Sequence, residues 1–163
     1  MPELPEVETI ANALHQKYSG HTVQDICFHR DSLREPIATK HIKAAITHQV
    51  IGNITRRSKY ILFAVGDFYL ISHLGMTGRY IESQSSNPTV KHTHFVLALD
   101  KKGQNNFLHY VDPRRFGRLA AVAQKDLAAH PWFSGLGPEP LGSFSLSNHL
   151  QNKALNRTVP IKN

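Results

Sequence analysis

The chain has 163 residues, and its 19 Lys and Arg exceed its 12 Asp and Glu, so the net charge is +7 and the pI is near 9.7. A hydrophobic content of 40% is enough for a packed core and excludes wholesale disorder. The single cysteine, Cys27, excludes an intrachain disulfide and a multi-cysteine metal site. No apolar run approaches the roughly 20 residues that span a bilayer, and the acidic N-terminus is unlike a secretory signal. We therefore expect a soluble, intracellular protein of one domain, or of one domain and a fragment of a second.

The excess of positive charge points to a polyanionic partner. A pI above 9 is typical of proteins that bind nucleic acids, although many basic proteins bind only counterions. The 11 His would add further positive charge below neutral pH. Charge alone therefore favours nucleic acid as the partner without establishing it.

The first predicted element is a helix over residues 3–18. Its apolar residues recur at helical spacing: Val7, Ile10, Ala11, Leu14 and Tyr18. Three Glu stand near its start and Lys17 near its end, which complements the helix dipole, and Ser19-Gly20 ends it.

From Thr22 the pattern changes to strands with apolar and β-branched residues. The predicted strands are 23–29, 50–57, 60–65, 68–73, 94–99, 106–111 and 118–122. Turns are predicted at Gly66-Asp67 and at 100–103, and helical segments at 39–45 and 125–130. The predicted fold is therefore mainly β with flanking helices (α+β): an antiparallel β-sandwich, or a barrel, with an N-terminal helix.

The C-terminal quarter has a different composition. Residues 134–143 are rich in Gly and Pro and are typical of an interdomain linker, and 145–155 has a helical pattern. We therefore predict a domain over 1–133, a linker over 134–143, and the incomplete start of a helical domain over 144–163.

Pro2 and Glu3 form the first group that can carry chemistry. Removal of Met1 would make Pro2 a free secondary amine, which can attack an aldehyde-like carbon, and Glu3 could move protons beside it. Alternatively, both are ordinary residues for the start of a helix.

Two further groups are basic or rich in glycine. Residues 56–60, Arg-Arg-Ser-Lys-Tyr, are either a functional cluster or a solvated strand face. Residues 73–79, His-Leu-Gly-Met-Thr-Gly-Arg, place two Gly just after a strand, which indicates a loop that approaches something closely. Met76 on that loop is either a core side chain or an exposed apolar tip.

Residues 112–118, Asp-Pro-Arg-Arg-Phe-Gly-Arg, form a basic loop that contains an aromatic residue. Such a loop suits intercalation, with Phe116 entering a base stack and an Arg contacting a base edge or a phosphate. The alternative is an ordinary turn with Phe116 packed inward. Residues 91–94, Lys-His-Thr-His, either contact phosphate or are scattered surface residues.

Taken together, these groups describe one task. A nucleophile, two candidate wedge loops and a basic surface are what an enzyme needs to flip a nucleotide out of a duplex, fill the space and attack its sugar.

The sequence resembles the N-terminal part of the formamidopyrimidine-DNA glycosylases, bacterial enzymes that remove 8-oxoguanine and ring-opened purines. The resemblance extends from Pro2 to Lys162 and rests on three motifs in the same order. These are Pro-Glu-Leu-Pro-Glu-Val-Glu-Thr at 2–9, His-Leu-Gly-Met-Thr-Gly at 73–78 and Asp-Pro-Arg-Arg-Phe-Gly at 112–117.

The resemblance implies a role for each matching residue. Pro2 is expected to attack C1′ of the damaged nucleotide and form a Schiff base, with Glu3 moving protons and Glu6 supporting the site. Lys59 is expected beside the phosphate of the damaged nucleotide, where it aids catalysis. The expected phosphate contacts are His73 and His92, and Lys162 is expected near the substrate. The expected wedge residues, which fill the space of the flipped base, are Met76, Arg114 and Phe116, with Arg114 facing the orphaned cytosine. Cleavage of the strand by β- and then δ-elimination follows from the covalent intermediate.

The resemblance also implies a duplex DNA partner that contains oxidised purines, a monomer, and a bacterial cytoplasmic location near the nucleoid. The family binds one zinc through a C-terminal four-cysteine finger, and we expect no zinc in this chain because it has one cysteine. Two hypotheses remain: a base-excision glycosylase and lyase, or a basic DNA-binding remnant without turnover because the C-terminal half is missing.

Overall fold

The computed structural model of the chain describes residues 1–87 and 90–140. The helices are α1 (Leu4–Tyr18) and α2 (Thr39–Ile46), and a 3₁₀ helix covers Gln124–Ala129. The strands are β1 (Thr22–Phe28), β2 (Ile51–Arg57), β3 (Tyr60–Val65), β4 (Phe68–His73), β5 (Arg79–Ser83), β6 (Thr93–Lys101), β7 (Gln104–Val111) and β8 (Arg118–Ala123).

The strands form two antiparallel four-stranded sheets. Their orders are β1-β6-β7-β5 and β2-β3-β4-β8. One cluster of buried side chains contains residues of both sheets and both α-helices, among them Phe63, Phe95 and Tyr110, all fully buried. The predicted fold, an antiparallel β-sandwich with a leading helix, is confirmed.

Helix α1 begins and lies where its sequence predicts. Glu3 is the N-cap, and its backbone N–H donates to the Glu6 carboxylate at 3.0 Å, an arrangement that stabilises a helix start. The buried face of α1 carries Val7, Ala11 and Leu14, and it packs against β2 and β3. The N-terminus is thereby held at one end of the sandwich.

A smaller apolar cluster covers the other face of the β2-β3-β4-β8 sheet. Leu62 and Ile71 meet Phe133 there, and Tyr60 stacks on Trp132 with 5.6 Å between ring centroids. Strand β3 is therefore buried on both faces, which explains its nearly continuous apolar sequence.

Two details differ from the sequence prediction. Strand β5 was not predicted, because it is short, begins directly after a glycine-rich loop and carries polar residues at both ends. The turn predicted at 100–103 is shorter: β6 continues through Lys101, and the reversal occurs at Lys102 and Gly103, both with positive φ. The predicted helix at 145–155 and the segment 144–163 lie outside the described residues, so the domain boundaries stay a prediction.

Within residues 1–87 and 90–140, no helix has both the length and the apolar composition needed to cross a membrane.

Candidate active site

A cleft of about 700 Å³ brings the N-terminus together with two loops that connect the two sheets. Its lining includes Met1, Arg34, His73, Met76, Arg114 and Phe116. Residues 74–78 are called the Met76 loop here, and residues 112–117 the Arg114 loop. Met76 and Phe116 are each 39% exposed, so neither is a core side chain and Phe116 is not packed inward. The N-terminus therefore shares one cleft with exposed apolar and cationic side chains.

At the N-terminus, Pro2 is half-buried and stands immediately before the N-cap of α1. Glu3 is exposed, and its backbone is fixed by the hydrogen bond to Glu6. The Arg56 guanidinium pairs with Glu8, one turn along the helix, which fastens α1 to β2. Pro2, the predicted nucleophile, thus precedes a helix that is fixed at its start by the Glu3–Glu6 hydrogen bond and to β2 by the Glu8–Arg56 ion pair.

The Met76 loop and the Arg114 loop touch backbone to backbone because glycine stands at the contacts. Gly75 has φ +61°, and a Cβ there would overlap the carbonyl of Phe116. A Cβ on Gly117 would overlap the Tyr110 hydroxyl, which also blocks a Cβ on Gly78. Only glycine allows this approach, as the spacing of the Gly residues predicted.

Asp112 joins the two loops through its fully buried carboxylate. One oxygen accepts from the Thr77 hydroxyl at 2.6 Å, and the other from the Gly117 N–H at 2.9 Å. The Thr77 oxygen in turn accepts from the Arg114 N–H at 3.3 Å. A buried carboxylate needs such donors, and here they fix one loop on the other.

The exposed tip of the Arg114 loop is one cationic and aromatic unit. The Arg114 guanidinium carbon lies 4.8 Å from the centre of the Phe116 ring, within cation–π range. Arg115 between them has φ +56°, an uncommon backbone conformation for a residue with a side chain. The backbone thus places Arg114 and Phe116 together on the cleft.

His73 ends β4 and lines the cleft as a neutral hydrogen-bond donor. Its Nδ1 accepts from the Gly75 N–H at 3.0 Å, which leaves the proton on Nε2. Burial lowers the pKa of His73 below its ordinary value, and the charges of Arg118, Lys59 and Arg34 lower it further.

Lys59 stands in the β2–β3 turn, beside the cleft lining rather than within it. It follows Ser58, whose φ is +53°, and it is half-buried. Its charge acts on the His73 imidazole, so the two side chains share one electrostatic environment. The cluster at 56–60 is not a solvated strand face, because the Arg56 side chain is only 3% exposed.

His92 lies apart from the main cleft. It is exposed, has φ +69°, and lines a separate groove of about 530 Å³ with Arg30, Lys91 and Arg115. Arg115 lines both the groove and the cleft, so the two basic surfaces are continuous. Lys162 lies outside the described residues.

Several contributors to the site were not predicted from the sequence. Arg34 has no motif around it, yet it lines the cleft, and its backbone N–H donates to the Gly117 carbonyl at 3.1 Å. Asp112 and Thr77 stand inside recognised motifs, but no sequence pattern indicates that their side chains pair. Glu139 stands in the predicted linker and binds the Arg56 and Arg57 guanidinium groups.

The residues present do not fit a four-cysteine zinc site. Cys27, the one cysteine, lies exposed on β1. Within the two described stretches, no group of three or more His, Cys, Asp or Glu is placed to hold a metal ion.

The sequence matches known proteins along its length. The family model described as "Formamidopyrimidine-DNA glycosylase N-terminal domain" matches residues 1–119. The formamidopyrimidine-DNA glycosylase of Zymomonas mobilis is 41% identical over 167 residues, covering 99% of this chain and 58% of that protein. Its counterpart in Vesicomyosocius okutanii is 40% identical, again over 99% and 58%. The chain thus spans less than two thirds of the length of these relatives.

Solved structures agree with the sequence matches. The wild-type Lactococcus lactis Fpg in complex with DNA containing N7-benzyl-Fapy-dG superposes with a TM-score of 0.75 at 32% identity, covering 85% of this chain and 50% of that one. The same protein in complex with DNA containing an abasic site gives a TM-score of 0.75 at 31% identity, with the same coverage.

Proposed function

The chain belongs to the formamidopyrimidine-DNA glycosylase family, and from that premise we propose that it acts in base-excision repair of DNA. In this proposal it is the catalytic N-terminal part of a bifunctional glycosylase and lyase. Its substrate is duplex DNA that contains an oxidised purine, 8-oxoguanine or a formamidopyrimidine. The single observation that carries the proposal is the cleft, which is lined by Met1 at the N-terminus together with Met76, Arg114 and Phe116.

The reaction begins at Pro2 after removal of Met1. The secondary amine attacks C1′ of the damaged nucleotide, the base leaves with a proton, and an iminium links Pro2 to the opened sugar. Glu3, next in the chain, carries protons to and from the sugar, and Glu6 holds the Glu3 backbone in place. A covalent intermediate divides base removal and strand cleavage into separate, easier steps.

Strand cleavage follows from the same intermediate. The iminium acidifies the C2′ proton, whose loss expels the 3′ phosphate by β-elimination, and δ-elimination then expels the 5′ phosphate. Lys59 lies beside the phosphate of the damaged nucleotide in this proposal, with its charge next to His73. His73 donates its Nε2–H to a phosphate oxygen, and His92 contacts the backbone from the adjoining groove.

The two loops keep the duplex open while the reaction proceeds. An apolar side chain can enter a base stack and an arginine can bind the edge of an unpaired base. Met76 and Phe116 are exposed apolar groups on the cleft, and the Arg114 guanidinium lies on the Phe116 ring, ready to face the orphaned cytosine. The family's DNA complexes, with a Fapy-dG derivative and with an abasic site, support this assignment.

Borohydride trapping tests the proposal directly. The chain, shown by mass to lack Met1, is incubated at low salt with a duplex that holds one 8-oxoguanine opposite cytosine. We expect a covalent adduct that peptide mapping places on residue 2. Pro2→Gly, which replaces the secondary amine by a primary one, should trap at least tenfold more slowly.

The matched control is the fraction of protein that retains Met1, because its Pro2 nitrogen is in a peptide bond and cannot form an iminium. An adduct on any other residue would overturn the assignment of Pro2. No adduct from folded, Met1-free protein would favour the alternative, a basic module that binds DNA without turnover.

A further inference from the structure

Three consecutive residues before Lys59 donate to one carboxylate. Glu139 accepts from Arg56 Nη1 at 2.6 Å, from Arg57 Nη1 at 3.1 Å and from the Ser58 backbone N–H at 3.0 Å. Glu139 is 81 residues downstream of Ser58 and beyond the last helix of the sandwich. The segment after the β-sandwich is therefore bound to the turn that presents Lys59.

The same network reaches the helix that starts next to Pro2. Arg56 pairs with Glu139 on one side and with Glu8 of α1 on the other, and its Nη1 also donates to the Ser58 carbonyl at 2.9 Å. The Arg57 Nη2 donates to the Gly137 carbonyl at 2.6 Å. One carboxylate is thus connected to the turn of the predicted catalytic lysine and to the helix of the predicted nucleophile.

Replacing the carboxylate by a neutral amide would remove its charge and leave one acceptor oxygen for donors that now use two. Arg56 and Arg57 are adjacent cations, and the side chains of Arg56 and Glu139 are only 3% and 22% exposed, so water cannot fully replace the contacts. Burial alone would raise the pKa of Glu139, but the Ser58 N–H and the two guanidinium groups lower it below its ordinary value. Glu139 is therefore charged at neutral pH and balances two arginines.

We propose that Glu139 is a positioning residue, which sets the place of Lys59 relative to His73 and of Pro2 relative to Lys59. The inference rests on the proposed function for its catalytic consequence. It makes the reaction depend on the segment 137–140, which leads out of the β-sandwich toward the rest of the chain.

His73 provides a reporter of the position of Lys59 that needs no catalysis. After burial and Arg118, the charge of Lys59 is the next cause that lowers the pKa of His73. If the Lys59 ammonium moves away, the pKa of His73 must rise toward its ordinary value. Lys59→Met defines the full effect of removing that charge.

The experiment compares Glu139→Gln, Lys59→Met and the double variant in the full chain by NMR titration of His73. Glu139→Gln is nearly isosteric, removes the charge and replaces one acceptor oxygen by an NH2 donor. We expect Glu139→Gln to raise the pKa of His73, but by less than Lys59→Met does. In the double variant the pKa of His73 should equal that in Lys59→Met alone. Asp25→Asn is the matched control, because it breaks an exposed ion pair with Lys43 at 2.9 Å, and it should leave the pKa of His73 unchanged.

Trapping on a duplex with an abasic site measures the catalytic consequence. Glu139→Gln should lower the rate at saturating DNA about tenfold while the half-saturating DNA concentration changes less than twofold. The same double variant should trap no more slowly than Lys59→Met alone.

The outcomes separate this inference from the proposed function. If the unmodified chain forms no adduct, the proposed function fails, and the titration of His73 alone decides whether Glu139 positions Lys59. An unchanged pKa of His73 in Glu139→Gln overturns the positioning role. Additive losses of trapping rate in the double variant, or an equal loss of trapping rate in Asp25→Asn, would show a general loss of stability. Either result would also overturn the positioning role.

Discussion

At the scale of single residues, His73 shows how surroundings set the chemistry of a side chain. The Gly75 N–H fixes the tautomer, while burial and then three cations make protonation unfavourable. The imidazole is therefore a neutral donor at neutral pH rather than a cation. This state suits contact with a phosphate oxygen at a place where Lys59 already supplies positive charge.

This environment predicts how stability depends on pH. The pKa of His73 lies below 6.5 in the folded protein, so the unfolded chain binds the proton more readily. The free energy of unfolding must therefore fall as the pH decreases from about 6.5 through the lower folded pKa. His21 and His130, whose pKa values burial also lowers, act in the same direction.

Replacing His73 should remove its contribution to the fall in unfolding free energy at low pH. In His73→Asn the amide oxygen can still accept from the Gly75 N–H, so the difference in unfolding free energy between pH 7.5 and 5.5, measured in urea, should be smaller than in the unmodified chain. His48→Asn is the matched control, because His48 is exposed and its φ of +64° suits asparagine. An equal pH dependence in His73→Asn and the unmodified chain would contradict the prediction.

At the scale of residues, the sequence motifs contain several of the side chains that line the cleft, and their roles stay predictions. The motifs at 73–79 and 112–118 predicted two loops near one site, but the exposure of Met76 and Phe116 could not be predicted because both side chains also suit a core. Arg34 and Glu139 were not predicted, since each contributes through contacts with residues far away in the chain. No local pattern encodes such contacts.

At the scale of elements, the site depends on how two loops that connect the two sheets meet. The Met76 loop connects β4 to β5, and the Arg114 loop connects β7 to β8. Both connections cross from one sheet to the other. Glycine at the contacts and the buried Asp112 carboxylate join them, so each loop supports the exposed residues of the other.

Gly117→Ala should therefore be strongly destabilising. The new Cβ would overlap the Tyr110 hydroxyl, whose ring is fully buried and stacked on Phe95. Overpacking of this kind costs about 1–3 kcal/mol, and more where the surroundings cannot shift. Urea unfolding should show this loss, and Tyr110→Phe, which removes the hydroxyl, should restore part of it in the double variant.

Gly135→Ala is the matched control for this change. A Cβ on Gly135 meets nothing within 4 Å, and no positive φ opposes it. Its unfolding free energy should stay within about 0.5 kcal/mol of the unmodified chain. Equal losses in Gly117→Ala and Gly135→Ala, or no recovery with Tyr110→Phe, would show that the loops do not depend on this contact.

Sequence periodicity predicted most of the elements for a physical reason. Helix α1 and strands such as β3 bury regular apolar faces, and that burial is what the pattern records. No side chain of strand β5 is fully buried, so its sequence shows little apolar periodicity. Its position depends on pairing with β7. The division into two sheets likewise depends on long-range pairing that one sequence does not display.

At the scale of the whole molecule, the effect of the net charge of +7 on DNA binding depends on where the cations lie. Arg34, Arg114 and Arg115 line the cleft, and Arg30 and Lys91 continue the basic surface along the adjoining groove. Some other cations form ion pairs instead, as Arg56 does with two carboxylates. Part of the positive charge is thus gathered along the surface where the proposed DNA duplex lies.

The binding of undamaged duplex should accordingly depend steeply on salt. A protein that neutralises phosphates releases counterions, so the logarithm of the association constant falls linearly with the logarithm of salt concentration, by about 0.9 per phosphate contact. We expect this linear dependence in fluorescence anisotropy titrations between about 50 and 200 mM salt. Arg34→Gln should reduce its slope by about 1 if Arg34 contacts one phosphate.

Lys43→Gln removes an equal charge from a different surface. Lys43 lies on α2 and pairs with Asp25, away from the cleft lining, so its loss should leave the slope unchanged although the net charge is the same as in Arg34→Gln. Equal slopes in the two variants would mean that DNA responds to the total charge and not to the cleft. A smaller slope only in Arg34→Gln would place the phosphate backbone along the surface that joins the N-terminus to the two loops.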